Sequence, residues 1–170
     1  MSNSEKNIEN EGINKLRELI ECINICFFCT DLKAGDGATA TPMSAQKVDN
    51  EGNIWFFSGK DSDKNKEINK DNDVQLFFSH PGHSSYLVVN GDASIVTDIE
   101  KMKELYSPAI KIWFKDGVDD PNISLIKVTT KNAYYWDTVG GKAINFIKML
   151  ASVVTGTNLV DGVEGNITVN

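Results

Sequence analysis

Arginine is almost absent from this chain. Of 17 basic residues only Arg17 is an arginine, so bidentate guanidinium recognition of a carboxylate or phosphate is nearly unavailable. Any phosphate site has to use lysine, hydroxyls and backbone N–H groups. Histidine is nearly as scarce. His80 and His83 flank Pro81-Gly82 with no cysteine or carboxylate beside them to complete a ligand set, so the segment reads as a turn. That scarcity, with no Gly-x-Ser-x-Gly elbow, argues against a Ser-His-Asp hydrolase. Three cysteines make an odd number that suits reduced thiols better than a disulfide framework. No run reaches the ~20 apolar residues of a membrane span; the most apolar stretch, 143–154, is interrupted by Asn145 and Lys148. Positive charge is in deficit: a formal net charge of −7 and a pI near 4.8 argue against a nucleic-acid partner. The first residues, MSNSEKNIENEG, are polar and carry no apolar signal core, so the expectation is a cytoplasmic protein with no membrane partner.

What is present fits one domain. The chain has 170 residues, 41% hydrophobic and 24% charged, close to the globular average. Composition divides it into a flexible lead at 1–12, a single domain at 13–155 and a loose tail at 156–170. Helical spacing of Ile13, Leu16, Leu19 and Ile20 predicts a short amphipathic helix. Strands are predicted over 22–30, 38–48, 54–57, 74–79, 86–96, 123–128 and 133–136. The Asp49–Asn53 cluster joins two of them as a hairpin. Polar helices are predicted over 61–70, capped by Asp61 or Ser62, and from Ile99 to about Tyr106, capped by Thr97 or Asp98. A C-terminal helix is predicted over 143–154. Strands do not alternate regularly with long helices, which disfavours a doubly wound parallel sheet. The fold class is mainly β: a small antiparallel barrel with peripheral helices.

Most candidate motifs are weak. The spacing Cys22-x3-Cys26-x2-Cys29 matches an iron–sulfur triad, but the intervening residues are Ile, Asn, Ile and Phe, Phe. On a strand, Cys22 and Cys26 share one face and Cys29 takes the other, so no metal site is assigned. Gly35-Asp36-Gly37 is too short for a dinucleotide fingerprint. Asp116, Asp119 and Asp120 lack the spacing of a calcium loop. The segment Ile54–Ile68, IWFFSGKDSDKNKEI, carries more. An aromatic strand ends in Ser58, and Lys60, Ser62 and Lys64 follow at the start of a short helix. Hydroxyls, ammonium groups and free N–H groups at a helix N-terminus suit an anion, and the aromatics beside them suit a planar ring. A capped surface helix with solvated lysines fits the same residues.

At this segment the chain resembles a known family. Thr41-Pro42-Met43-Ser44, then Gly52–Ser58, then Asp61-Ser62-x-Lys64 are similar to the pyridoxamine 5′-phosphate oxidase-like flavoproteins, in particular the general stress protein 26 type. Gly91-Asp92-Ala93, Trp113-Phe114 and Tyr135-Trp136-Asp137 follow in the same order. The resemblance implies a six-stranded antiparallel split β-barrel, a homodimer with FMN at its interface, and oxidoreductase activity. It places Met43 and Ser44 along the isoalloxazine, counts Thr41 and Pro42 among the cofactor-binding residues, and puts Phe57 and Ser58 at the strand end beside the flavin. Ser62 and Lys64 fall on the FMN phosphate. Tyr86 falls on a flavin-contacting position, and Trp113 on the partner subunit's contribution. NAD(P)H is the implied reductant; no catalytic residue is assigned. Two departures stand out: Thr41 and Asp63 occupy places where the family commonly has arginine, which removes two charge-assisted phosphate contacts. Another flavin-like planar cofactor therefore stays open beside FMN. Residues 129–170 contain neither arginine nor histidine, which departs from true pyridoxamine phosphate oxidases and excludes that activity. A non-catalytic flavin- or ligand-binding stress protein is the alternative.

Overall fold

The computed structural model describes residues 3–35, 37–83, 85–137 and 163–168. Three helices and seven strands follow in the order α1 (Asn3–Ile23), β1 (Ile25–Thr30), β2 (Thr39–Val48), β3 (Asn53–Gly59), α2 (Asp63–Lys70), β4 (Asp73–His80), β5 (Ser85–Val96), α3 (Ile99–Leu105), β6 (Ile123–Asp137) and β7 (Val163–Thr168). Short 3-10 segments cover Pro81–His83, Pro108–Ile112 and Gly117–Asp119.

Every strand pairing is antiparallel. The order runs β3-β2-β1-β4-β5-β6-β7, and β3 also pairs with β6, which closes the first six strands into a barrel. β6 makes the closure work. Its first part, Ile123 to Thr129, pairs with β3, and its second part, Asn132 to Asp137, pairs with β7. The predicted strands 123–128 and 133–136 are thus one strand. The polar stretch between them stays in the sheet because its groups find partners. Thr130 donates to the Gly52 carbonyl at 2.8 Å, and Asn132 accepts from Asn90 at 2.8 Å.

Alternating side chains fill the barrel. Phe28, Ile54, Phe56, Leu76, Phe78, Leu87, Val89, Ile126 and Val128 are buried inside it, with Leu16, Leu19 and Ile20 of α1. Phe28 and Phe56 meet edge to face at 5.2 Å. A second core lies outside the barrel wall, where Trp55, Phe57, Ile123 and Leu125 pack with Met102, Leu105 and Ile110.

Several boundaries differ from expectation. The helix predicted from Ile13 begins at Asn3, within the predicted 1–12 lead, since extending an anchored helix adds one hydrogen bond per residue fixed. It also reaches Ile23, so Cys22 lies on α1 rather than on a strand. Asn24, at φ 50°, ends the helix in the left-handed conformation that asparagine tolerates. Within the predicted 156–170 tail, Val163–Thr168 form β7, recruited by the β6 edge that extends past the barrel. The predicted helix 143–154 lies outside the described residues. No described helix is long and apolar enough to cross a membrane.

Candidate functional site

The end of β3 and the start of α2 form the most chemically loaded part of the barrel rim. Ser62 is the N-cap of α2, and its hydroxyl oxygen accepts from the Asn65 N–H at 3.2 Å. Asn65 points inward and is buried. Its Oδ1 accepts from the Ser58 hydroxyl at 2.8 Å, and its Nδ2 donates to Ser124 Oγ at 3.0 Å. Ser124 in turn donates to the Ser58 carbonyl at 2.9 Å. Ser58 and Ser62 hydroxyl oxygens lie 3.3 Å apart.

Proton accounting separates these groups. A hydroxyl has one proton, and Ser58 and Ser124 each commit theirs to a buried acceptor. Among the described residues the Ser62 proton has only the long contact to Ser58, so it can turn to a ligand at the helix N-terminus. Lys64, one step inside α2, is half-buried and makes no hydrogen bond or salt bridge among the described residues. Burial lowers its pKa from the ordinary lysine value, while the Glu67 carboxylate pulls the other way. Glu67 is held by the Thr30 hydroxyl at 2.5 Å and the Thr39 hydroxyl at 3.2 Å. Asp63 pairs instead with Lys66 at 2.7 Å on the exposed side of α2.

The other predicted residues fall into separate groups. On β2, Thr41 and Met43 share the inward face with Thr39, and Met43 packs against the barrel core. Pro42 and Ser44 face outward and are exposed. Their β1 neighbours are Phe27 and Ile25. Tyr86 also faces outward, opposite Trp136. Phe57 alternates away from Ser58 and lies in the second core under α3, a packing position. Trp113 caps the Pro108–Ile112 segment and is 81% exposed. Ser58 and Ser62 come together, Lys64 has its charge beside Glu67, Thr41 and Met43 share the β2 face with Thr39, a partner of Glu67, and Phe57 and Trp113 lie on the α3 side.

Sequence reading missed an apolar face on the outside of β1, β4, β5 and β6. Ile25, Phe27, Phe77, Tyr86 and Trp136 are each between 39% and 59% exposed. Register makes them one surface: Phe27 is opposite Phe77, and Tyr86 opposite Trp136. A shallow cavity of about 510 Å³ opens there, lined by Phe77, Ser79, Tyr86, Val88 and Trp136. Alternation in FFCT and VQLFFS carried the signal, because aromatics occupy both faces of these strands. Asn65 and Ser124 were also missed, since nothing local marks them as partners.

The cysteines do not form a cluster. Cys22 is exposed on α1, while Cys26 and Cys29 are buried on β1. Burial and the neighbouring Cys29 push the Cys26 thiol up to about 12. Among the described residues no three His, Cys, Asp or Glu side chains are placed to hold a metal ion.

Comparison with known proteins gives a consistent result. A family model described as "Pyridoxamine 5'-phosphate oxidase like" matches residues 11–161. Protein bli-3 of Neurospora crassa is 29% identical over 90 residues, covering 48% of this chain and 43% of that protein. The chain thus spans under half the length of that curated relative. Among solved structures, a Clostridium acetobutylicum protein related to general stress protein 26 superposes with a TM-score of 0.64 at 21% identity, covering 76% of this chain and 91% of that one. The general stress FMN/FAD binding protein of Xanthomonas citri gives 0.64 at 23% identity, with coverage of 91% and 98%. General stress protein 26 of Bacillus anthracis gives 0.60 at 22%, with coverage of 71% and 92%. At these identities the structures share the fold, a six-stranded antiparallel barrel with three helices.

Proposed function

Because this chain belongs to the pyridoxamine 5′-phosphate oxidase-like family, we propose that it binds FMN and acts as a homodimeric flavin-dependent oxidoreductase. The observation that carries the reading is the Ser62 hydroxyl at the N-terminus of α2, with Lys64 following in the first turn of the helix. Among the described residues the Lys64 ammonium has no hydrogen-bonded partner, and the Ser62 hydroxyl proton has only the long contact to Ser58. That donor set fits a phosphate. When bound, the flavin supplies the hydride chemistry.

The chain's own residues bind and orient. Ser58, Asn65 and Ser124 pin the first turn of α2 to β3 and β6, which fixes where Lys64 emerges. Thr41 and Met43 line the inward face of β2. Pro42, Ser44 and Tyr86 open on the outward face. A second copy is proposed to cover that face, because contiguous exposed aromatics at strand centres mark an interaction surface, and Trp113 is proposed to reach the partner's site. NAD(P)H is the proposed reductant, and the cytoplasm, where three free thiols stay reduced, the proposed compartment. Another flavin-like planar ring fits the same apolar surroundings.

The second reading is flavin binding without turnover, and the engagement of the carboxylate beside Lys64 favours it. The carboxylate there, Glu67, is already held by two threonines. Titration with FMN, followed by quenching of flavin fluorescence, tests the binding claim. Lys64→Ala should weaken FMN about tenfold to a hundredfold, the range of a charge-assisted hydrogen bond. Unchanged affinity would remove the phosphate assignment. Anaerobic mixing with NADPH then separates the two readings: bleaching of the flavin band within seconds means turnover, and a stable band means binding alone.

A further inference from the structure

We infer that Glu67 acts as a built-in anion at the phosphate end of the site, so that the protein binds flavins with little preference for the phosphorylated form. This rests on the flavin reading above and goes beyond it by naming the residue that sets ligand choice.

Three observations support it. First, Glu67 follows Lys64 by three residues on α2, the spacing that brings side chains onto one helix face. Their charges interact, since Glu67 opposes the effect of burial on Lys64. Second, two hydroxyls hold the carboxylate in place. Thr30 Oγ1 donates to one of its oxygens at 2.5 Å and Thr39 Oγ1 to the other at 3.2 Å. Thr30 is fully buried, and it pairs with Thr39 across β1 and β2. These two hydroxyls are therefore already given to an anion that belongs to the protein. Third, no guanidinium compensates. Arg17, the sole arginine, is committed to the turn after β2, donating to the Val48 carbonyl at 3.2 Å and the Asp49 carbonyl at 3.0 Å.

One ammonium beside one fixed carboxylate leaves this face of α2 with little net charge. A phosphate dianion entering it gains the lysine and meets the glutamate. Binding strength then comes mainly from the ring, which riboflavin and FMN share.

The test compares dissociation constants of FMN and riboflavin for the wild-type protein and Glu67→Gln. The wild-type protein should prefer FMN by no more than about tenfold. Glu67→Gln should tighten FMN about fivefold to tenfold, the scale of one like-charge contact near 4 Å in a water-like dielectric, and leave riboflavin unchanged. A wild-type preference above about a hundredfold overturns the inference, as does a Glu67→Gln variant with an unaltered FMN-to-riboflavin ratio. If Glu67→Gln fails to fold, judged by circular dichroism, the wild-type ratio decides alone. If the wild-type protein binds neither flavin, the flavin reading falls and takes this inference with it. Binding of both with the wrong ratio removes this inference only.

Discussion

Asn65→Ala is the sharpest test of how the site is held. Asn65 is 1% exposed and makes two buried side-chain hydrogen bonds, from Ser58 at 2.8 Å and to Ser124 at 3.0 Å. Alanine removes both and leaves a small void beside β3 and β6. A buried polar group without a partner costs about 1–3 kcal/mol. The Ser58 hydroxyl can turn to Ser62, 3.3 Å away, which recovers part of one loss. Ser124 still donates to the Ser58 carbonyl but is no longer an acceptor. The net expectation is a loss of about 2–4 kcal/mol. For a domain of this size that corresponds to about 5–15 °C in melting temperature. Urea unfolding followed by far-ultraviolet circular dichroism measures it, with the slope checked for constancy. FMN affinity should fall as well, although Asn65 is not placed on the ligand, because α2 loses its anchor. Stability within about 0.5 kcal/mol of wild type would refute the view that this network pins the helix.

Further outcomes follow from other parts of the barrel. Gly91→Ala places a Cβ 2.5 Å from the Thr129 carbonyl oxygen and 2.8 Å from Val128. The strand must shift at the β5 irregularity, and urea unfolding should show a loss of about 1–3 kcal/mol. A thiol reagent added to native protein should label Cys22 quickly, while Cys26, buried and with its thiol near 12, should react only after unfolding. Asp49 accepts from Trp55 Nε1 at 2.8 Å and from the Asn53 N–H at 2.9 Å. Burial raises its pKa, but these bonds together with that from Glu51 outweigh it and leave the carboxyl below its ordinary value. A depressed carboxyl stabilises above its unfolded pKa, near 4, and loses that contribution as pH falls through the lower folded value. Asp49→Asn should therefore flatten the acid limb of the stability–pH curve; an unchanged limb contradicts the assignment.

Much of the architecture is legible in local signals. Ser62 and Asp98 cap α2 and α3 where Ser/Asp before polar helical runs predicts. The Asp49–Asn53 turn and the apolar strands around it also stand where pattern places them. What escaped is non-local. The Thr-Thr-Lys-Asn stretch reads as a break, yet β3, β4 and β5 bring partners to it, and Lys131 bridges Asp73 and Asp92. β7 is visible only once the β6 edge exists to recruit it. For the proposed site, the start of α2 at Ser62 and Lys64 is marked by local capping chemistry. Asn65, Ser124 and the Thr30–Glu67–Thr39 contacts are not, because each joins residues far apart in the chain. Phe57 shows what a strand pattern leaves open. A strand end beside a ligand does not say which way each side chain faces, and Phe57 turns to α3.

The most direct measurement is gel filtration of the purified protein after addition of FMN, recording protein and visible flavin absorbance together. Flavin bands in the blue and near-ultraviolet should elute with protein at twice the 18.8 kDa chain mass. Colourless protein, with all the flavin eluting at small-molecule volume, would contradict the account.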